Sequence, residues 1–320
     1  MKKITIIKNR SDIGAGTRGS DLGIDAIEIA AINANNDFFN KFDSIDLETK
    51  NEAIYDKQKA PFAKRIENVL SVCSNLADAV SFQLKENQFP LVISGDHSSA
   101  LGSISGIKMA NPDKRIGVVW IDAHADIHSP HTTPSGNIHG MPLAAALAED
   151  NLERKVNKLS ESTENYWSEL KNIGNISPKV LHEDVVYFGV RDTEEPEDFI
   201  IAKKGIRNYR VEEVRFRGME SCMKEALAKL DACDLIYISF DVDSMDCDLI
   251  SKGTGTPVSK GFDQYEIIDI INHTIESNKV ACIEIVEVNP CLDNKGNAMA
   301  ETAFEVMQGF IEKLQSKLSL

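Results

Sequence analysis

The chain has 320 residues, of which 42% are hydrophobic, and a formal net charge of −15 at pH 7. A chain of this size can bury the core of one large α/β domain or of two smaller ones. Its acidity argues against nucleic acid and anionic membranes as partners, because phosphate groups attract basic surfaces, whereas a small cationic ligand would suit it.

Apolar, β-branched runs alternate along the chain with stretches long enough for helices. The predicted strands, in chain order, are Ile4 to Ile7, Leu91 to Ile93, Ile116 to Ile121, Val185 to Val190, Leu235 to Phe240 and Val280 to Val288. The predicted helices are Leu22 to Ala34, Pro61 to Leu84, Ser99 to Ala110, Met219 to Leu230, Tyr265 to Ser277 and Ala300 to Leu318. This alternation predicts buried parallel strands, but it fits a TIM barrel and an open sheet covered by helices equally well.

The polar stretch 151–178 predicts a surface insertion rather than a domain linker, because no comparable break occurs elsewhere. We therefore expect residues 1–320 to form a single domain that carries this insertion. The six cysteines show no C-x-x-C spacing, which is typical of a reducing compartment. The first apolar run, Ile4 to Ile7, is too short for a signal peptide, and no segment approaches transmembrane length, so a cytoplasmic location is expected.

Three clusters of metal-binding side chains each follow an apolar run. They are Gly95-Asp96-His97-Ser98, Asp122-Ala123-His124-Ala125-Asp126 and Asp241-Val242-Asp243. A single D-x-D is usually a turn or a helix cap. Three clusters at the carboxyl ends of predicted parallel strands, where open sheets bind their ligands, instead predict a metal site.

Carboxylates that converge in a poorly solvated crevice repel one another, so divalent cations between these aspartates are expected. Aspartate oxygens and histidine nitrogens without a nearby cysteine pair favour Mn, Mg or Fe over a structural zinc site. Two such ions, four aspartates and a bridging hydroxide would leave a single negative charge. A monocationic guanidinium substrate would balance it.

Six motifs that cover most of the chain resemble those of the ureohydrolase family, and most closely those of the arginases. In family order they are Ser94-Gly95-Asp96-His97-Ser98, Trp120-Ile121-Asp122-Ala123-His124-Ala125-Asp126, Ser135-Gly136-Asn137-Ile138-His139-Gly140, Ser239-Phe240-Asp241-Val242-Asp243, Gly253-Thr254-Gly255-Thr256-Pro257 and Glu287-Val288-Asn289-Pro290. The resemblance implies an α/β fold with three αβα layers, in which helices cover both faces of an open, mostly parallel sheet. It also implies two Mn²⁺ per subunit at the edge of that sheet.

The resemblance further implies the roles of individual residues. One manganese ion would be held by His97, Asp122, Asp126 and Asp241, and the other by Asp122, His124, Asp241 and Asp243. A metal-bridging hydroxide would hydrolyse L-arginine to L-ornithine and urea. Asp126 would protonate the departing amine, His139 would shuttle protons and Glu287 would pair with the guanidinium. Without the resemblance, His139 fits a packed loop imidazole equally well.

The loop between Asp126 and His139 is rich in hydroxyl and amide donors, which suit an α-carboxylate, although its composition also fits an ordinary turn-rich loop. The resemblance implies a substrate-binding set of His128, Thr133, Ser135, Asn137, Glu194 and Thr256. In this set His128 stands where arginases commonly have Asn, and Glu194 where an Asp usually contacts the α-amino group. Both can still donate or accept the required hydrogen bonds, so arginine is expected in preference to agmatine.

The alternatives that remain open are agmatinase, guanidinobutyrase or formiminoglutamase activity, and a non-catalytic guanidine-binding regulatory subunit. The intact ligand set argues against the last of these. Family members assemble as trimers or hexamers, so a homo-oligomer is expected. Tyr265, however, stands where many arginases have an Arg that is used between subunits.

Overall fold

The computed structural model describes residues 2–319, whose strands form one parallel sheet. The strands are β1 (Ile4–Asn9), β2 (Asp43–Asp46), β3 (Phe89–Ser94), β4 (Ile116–Ile121), β5 (Val185–Phe188), β6 (Arg207–Tyr209), β7 (Leu235–Asp241) and β8 (Val280–Val286). They pair in the order β2-β1-β3-β8-β7-β4-β5-β6, and every pair is parallel. The sheet is open because β2 and β6 lie at its two edges. The predicted fold class is thus confirmed, and the TIM barrel is excluded.

Helices cover both faces of this sheet. They are α1 (Gly23–Asn33), α2 (Ile66–Lys85), α3 (Ala100–Ala110), α4 (Pro142–Leu147), α5 (Glu161–Lys171), α6 (Glu195–Lys204), α7 (Val211–Arg217), α8 (Met219–Lys229), α9 (Gln264–Glu276) and α10 (Ala298–Leu318). Buried side chains of α2 to α6 form the core on one face, and those of α1 and α7 to α10 form the core on the other. The result is the three-layer αβα arrangement.

Strand β4 shows why the central strands are apolar throughout. Val118 and Trp120 pack into the core on the α2 to α6 side, whereas Val119 and Ile121 pack into the core on the opposite side. Successive side chains of a strand point to opposite faces, so a strand covered on both faces must be apolar at every position.

The strand order creates a crevice at the carboxyl edge of the sheet. The chain passes from β3 through α3 to β4 and leaves β8 and β7 to be inserted between them later. Open α/β sheets bind ligands at such a change in strand order. The three predicted ligand clusters lie at the ends of β3, β4 and β7, and Glu287 follows β8.

Several element predictions need correction. The strands predicted as Val185 to Val190 and Val280 to Val288 end at Phe188 and Val286, and the helix predicted from Pro61 begins at Ile66. Strands β2 and β6 and helices α4 to α7 were not predicted; α5 lies within the stretch expected to be an insertion. None of the helices between residues 2 and 319 is both long and apolar enough to cross a lipid bilayer.

Candidate metal centre and its cleft

His97, in the turn after β3, lies at the centre of the first group of ligands. Its Nδ1 atom is 2.9 Å from Asp126 Oδ2, 3.1 Å from Asp122 Oδ2 and 3.2 Å from Asp241 Oδ2. On the far side of the ring, Nε2 lies 2.6 Å from the hydroxyl oxygen of Ser239. The imidazole therefore presents one nitrogen to three carboxylates while the other contacts the sheet.

His124 forms a second group with Asp122 and Asp243. Its Nδ1 atom is 3.0 Å from Asp243 Oδ2 and 3.6 Å from Asp122 Oδ1. Asp122 belongs to both groups, and the indole nitrogen of Trp120 donates to its Oδ2 over 2.8 Å. His97, Asp122 and Asp241, and likewise Asp122, His124 and Asp243, could each hold a metal ion.

Local turns at the strand ends direct these carboxylates into the crevice. Asp241 Oδ1 accepts the backbone N–H of Asp243 over 2.8 Å, and Asp122 Oδ1 accepts that of His124 over 2.7 Å. In each case the side chain closes a turn two residues further along the chain, as aspartates commonly do. The D-x-D and D-x-H spacings thus fix the first carboxylate and bring the second ligand beside it.

The electrostatics of the cluster fit a divalent cation. The four aspartates are at most 7% exposed, and burial together with Asp243 and Asp122 raises the pKa of Asp241 well above its ordinary value. The Nδ1 atom of His97 is buried and has no hydrogen-bond partner within the described chain, although three carboxylates lie close to it. Carboxylate and imidazole donors of this kind suit hard to borderline cations.

Glu287 and His139 form a pair beside this cluster. Glu287 Oε1 lies 3.1 Å from His139 Nδ1 and accepts the backbone N–H of His97 over 3.0 Å. Burial would lower the pKa of His139, but the Glu287 carboxylate raises it overall. Glu287 is 2% exposed, and its Oε2 atom is buried without a hydrogen-bond partner among residues 2–319.

A cleft of about 250 Å³ opens over the ligands. Its lining residues are His124, Asp126, His128, Pro134, Ser135, His139, Gly140, Asp192, Thr193, Glu194, Glu197, Asp241, Asp243 and Thr256, with no lysine or arginine among them. A larger cavity of about 610 Å³, between residues 56–68 and α5, contains neither of the two metal-binding groups.

Four of the six residues predicted to bind substrate line the cleft: His128, Ser135, Glu194 and Thr256. The other two do not. Thr133 is 2% exposed and its hydroxyl accepts the N–H of Gly136, while the side chain of Asn137 accepts a hydrogen bond from Lys64.

The two departures from the arginase pattern lie side by side. His128 Nε2 is 3.2 Å from Glu194 Oε2 and 3.6 Å from Glu197 Oε2. Glu197 was not predicted as a site residue, yet it is buried in the cleft wall, and burial raises its pKa to about 8. Glu194 and Glu197 together form the capping box at the start of α6. Their spacing of three residues was the sequence signal that could have placed Glu197 beside Glu194.

Sequence reasoning also left out three residues that touch the ligands. Ser239 contacts His97, Trp120 donates to Asp122, and Asp192 Oδ2 lies 3.6 Å from His124 Nε2. Ser239 and Trp120 each precede a ligand by two positions in or at the end of a strand. Such residues share one face of the strand, so the spacing was the available signal.

Comparison with known proteins places these features in a family. Residues 2–311 match the family model described as Arginase family. The chain is 33% identical to an arginase of Bacillus subtilis (strain 168) over 314 residues, which is 98% of each chain. It is 35% identical to an arginase of Bacillus caldovelox over 329 residues, 98% of this chain and 100% of that one.

Solved structures give the same result. The native Bacillus caldovelox arginase has a TM-score of 0.80 at 34% identity, with 97% of this chain and 98% of that chain covered. Entamoeba histolytica arginase in complex with L-ornithine has a TM-score of 0.82 at 27% identity, with 96% and 97% covered.

Proposed function

This chain belongs to the arginase family, and we propose on that basis that it hydrolyses L-arginine to L-ornithine and urea. The arrangement that best supports this activity is the His and Asp cluster together with Glu287, which contacts His139 of the cleft and whose buried Oε2 has no hydrogen-bond partner within residues 2–319. A cluster of metal ligands and an anionic partner for a cation are the two features that guanidinium hydrolysis requires.

We assign two Mn²⁺ ions to the cluster. The first would be held by His97, Asp122, Asp126 and Asp241, and the second by Asp122, His124, Asp241 and Asp243. Bound divalent cations of this kind lower the pKa of water and so supply hydroxide near neutral pH.

Glu287 is the group we assign to hold the guanidinium. Its Oε1 atom contacts His139 and accepts the N–H of His97, whereas its Oε2 has no hydrogen-bond partner between residues 2 and 319 and is available for a charge-assisted hydrogen bond. A buried carboxylate oxygen without a partner is costly. A planar cation with several N–H donors would remove that cost.

Proton transfer falls to Asp126 and His139, both of which line the cleft. Asp126 would accept the proton that the attacking hydroxyl loses once its oxygen is bonded to the guanidinium carbon. It would then donate this proton to the departing amine nitrogen as the carbon–nitrogen bond breaks, because an unprotonated amine is a poor leaving group. The side chain of His139 is 20% exposed and contacts Glu287, so it would carry protons between the cleft and solvent.

The cleft residues that are not metal ligands would bind the amino acid end of the substrate. Ser135 and His128 would offer hydrogen bonds to the α-carboxylate, and Glu194 would offer a negative charge to the α-amino group. Thr256 lines the same cleft, where its hydroxyl donates to Asp243 over 3.2 Å. Agmatine has the guanidinium but lacks the carboxylate, so these cleft residues favour arginine.

Urea release from the manganese-loaded chain tests the assignment. We expect rapid release from L-arginine and much slower release from agmatine and 4-guanidinobutyrate. Release from one of these guanidines but not from arginine would move the chain to another ureohydrolase activity. Binding of arginine without turnover of any guanidine would instead indicate a regulatory subunit.

We also propose that the chain acts in the cytoplasm and assembles with copies of itself. All six cysteines are free and five are buried, which suits a reducing compartment. Sedimentation of the manganese-loaded protein would test assembly.

A further inference from the structure

The polar stretch 151–178 is attached to the loop that lines the cleft. The backbone N–H groups of Val156 and Asn157 both donate to the carbonyl of His131, each over 3.0 Å. The side-chain amide of Asn157 donates to the carbonyls of Thr133 over 2.7 Å and Pro130 over 3.0 Å. Four hydrogen bonds therefore join this stretch to residues 130–133.

A further hydrogen bond joins the residue just before this loop, Ser129, to the residue just before the polar stretch, Asp150. The hydroxyl of Ser129 donates to the carbonyl of Asp150 over 2.6 Å. The carboxylate of Asp150 accepts hydrogen bonds from Trp167 and Lys171 of α5, each over 2.7 Å. The loop is thus tied through Asp150 to a helix whose Trp167 is 3% exposed and packed in the core.

A third contact reaches the start of α6. The side-chain amide of Asn151 donates to the carbonyl of Pro196, at the start of α6, over 2.7 Å. Glu194 and Glu197 beside it line the cleft. Residues 150–157 therefore join the loop at residues 129–133 to the start of α6.

The chemistry of the cleft makes the position of the loop that carries His128 and Ser135 important. No lysine or arginine lines the described cleft, so a substrate carboxylate would be held by hydrogen bonds from neutral groups rather than by an opposite charge. Hydrogen bonds weaken steeply as their angle departs from linearity. The loop that carries His128 and Ser135 must therefore be held in place.

From these contacts we propose that Asn157 is a positioning residue that sets recognition of the substrate α-carboxylate by holding the loop at residues 130–133. This role rests on the proposed hydrolysis of arginine. Asn157 is suited to it because its side chain is buried and its amide supplies two hydrogens, one for each carbonyl.

Steady-state kinetics of the manganese-loaded full chain test the proposal. In Asn157→Ala we expect KM for L-arginine and the inhibition constant of L-ornithine to rise together by about tenfold. The kcat, the bound manganese and the inhibition constant of agmatine should stay within about twofold, because agmatine has no carboxylate to misplace. Asn157→Asp keeps the shape but loses both donors, so it should behave like Asn157→Ala.

Asn165→Ala is the matched control, since Asn165 is exposed on α5 in the same stretch. It should leave every constant unchanged. An unchanged KM for arginine in Asn157→Ala and Asn157→Asp, or an equal rise in the inhibition constant of agmatine, overturns the role assigned to Asn157.

If Asn157→Ala does not fold, Ser129→Ala provides a second test, because it removes the hydrogen bond from Ser129 to the carbonyl of Asp150. It must raise KM for arginine without raising the inhibition constant of agmatine. Failure of the unmodified chain to release urea from arginine overturns the proposed function as well, and is seen before any variant is made.

Discussion

Two carboxylates of the site lie on strained backbone. Asp126 has φ of 49° and Glu287 has φ of 67°, a left-handed conformation that costs a residue other than glycine about 1 to 3 kcal/mol. The surroundings fix Glu287 in place: its N–H donates to Gly95, and its side chain accepts from His97. Strained backbone of this kind is typical of functional sites, where the orientation of a side chain matters more than the stability of the fold.

Substitutions of Asp126 and His139 should both lower kcat, but only the substitution of Asp126 should also lower the manganese content. His139→Asn should lower kcat by about two orders of magnitude with manganese content kept, because it removes a proton carrier that we do not assign as a ligand. Asp126→Asn should lower both kcat and manganese content. Elemental analysis beside urea assays separates the two, and equal metal loss in both variants would contradict the assigned roles.

The hydroxyl of Ser239 should tune metal affinity without touching substrate. It lies 2.6 Å from His97 Nε2, so it fixes the ring and leaves Nδ1 facing the three aspartates. Outer partners of ligating histidines typically change metal affinity 10- to 100-fold. We therefore expect Ser239→Ala to raise the manganese dissociation constant by about tenfold in equilibrium dialysis.

Ser103→Ala provides the control for Ser239→Ala. Ser103 is also fully buried, but its hydroxyl has no hydrogen-bond partner within residues 2–319. Its loss should leave manganese affinity unchanged. An equal effect of the two substitutions would mean that the loss of packing, rather than the contact with His97, weakens binding.

The site could be predicted only in part, because its ligands are local in sequence and its supports are not. D-x-D and D-x-H-x-D spacings mark ligands that follow one strand, so they stand out in the chain. The contact between His139 and Glu287 joins residues 148 positions apart and depends on the final strand order. No pattern within either segment could reveal it.

At the scale of elements, burial decided which strands were predictable. Strand β4 is buried at all six positions, and its predicted and observed bounds agree. Edge strands β2 and β6 are short and partly exposed, so they lack the apolar run that marks a central strand. Helix α5 buries Thr163, Trp167 and Leu170 at helical spacing, a signal hidden by the polar residues around it.

Lys179 forms a hydrogen bond at the carboxyl end of α5 and should make the free energy of unfolding depend on pH in the alkaline range. Its amine donates to the carbonyls of Lys171 and Ile176, it is 2% exposed, and no carboxylate forms an ion pair with it within the described chain. Burial lowers its pKa to about 8. In the unfolded chain a lysine has a pKa of about 10.4.

Between these two values the unfolded chain binds more protons than the folded one, so the stability contributed by Lys179 rises with pH. The gain amounts to about 2 kcal/mol between pH 7 and 9.5. Lys179→Met should lack this increment in urea unfolding measured at both pH values, whereas Lys158→Met, at an exposed position, should keep it. The same pH dependence in all three proteins would show that folding does not lower the pKa of Lys179.

At the scale of the whole molecule, the metal centre and the sheet depend on each other. Ligands that follow β3, β4 and β7 meet only when β7 and β8 have been inserted between β3 and β4. His97 and Glu287, in contact at that edge, are 190 positions apart in the chain. Because the unfolded chain has no such site, a cation that binds the folded state must stabilise the fold.

The aspartate cluster should therefore destabilise the metal-free protein and stabilise the loaded one. Asp241→Asn replaces one of four clustered, buried carboxyl groups, whose pKa is raised by burial and by Asp243 and Asp122, and it keeps an oxygen that can accept the N–H of Asp243. We expect the Tm of the chelator-treated variant to exceed that of the chelator-treated wild type, by roughly 1 to 2 °C for each kcal/mol by which the cost of burying the clustered carboxyl groups falls. Added manganese should raise the Tm of the wild type far more than that of the variant.

Asp248→Asn, at an exposed position nearby, should match the wild type in both states. A lower Tm for metal-free Asp241→Asn, with its response to manganese intact, would show that the cluster is neither under repulsive strain without metal nor responsible for binding it.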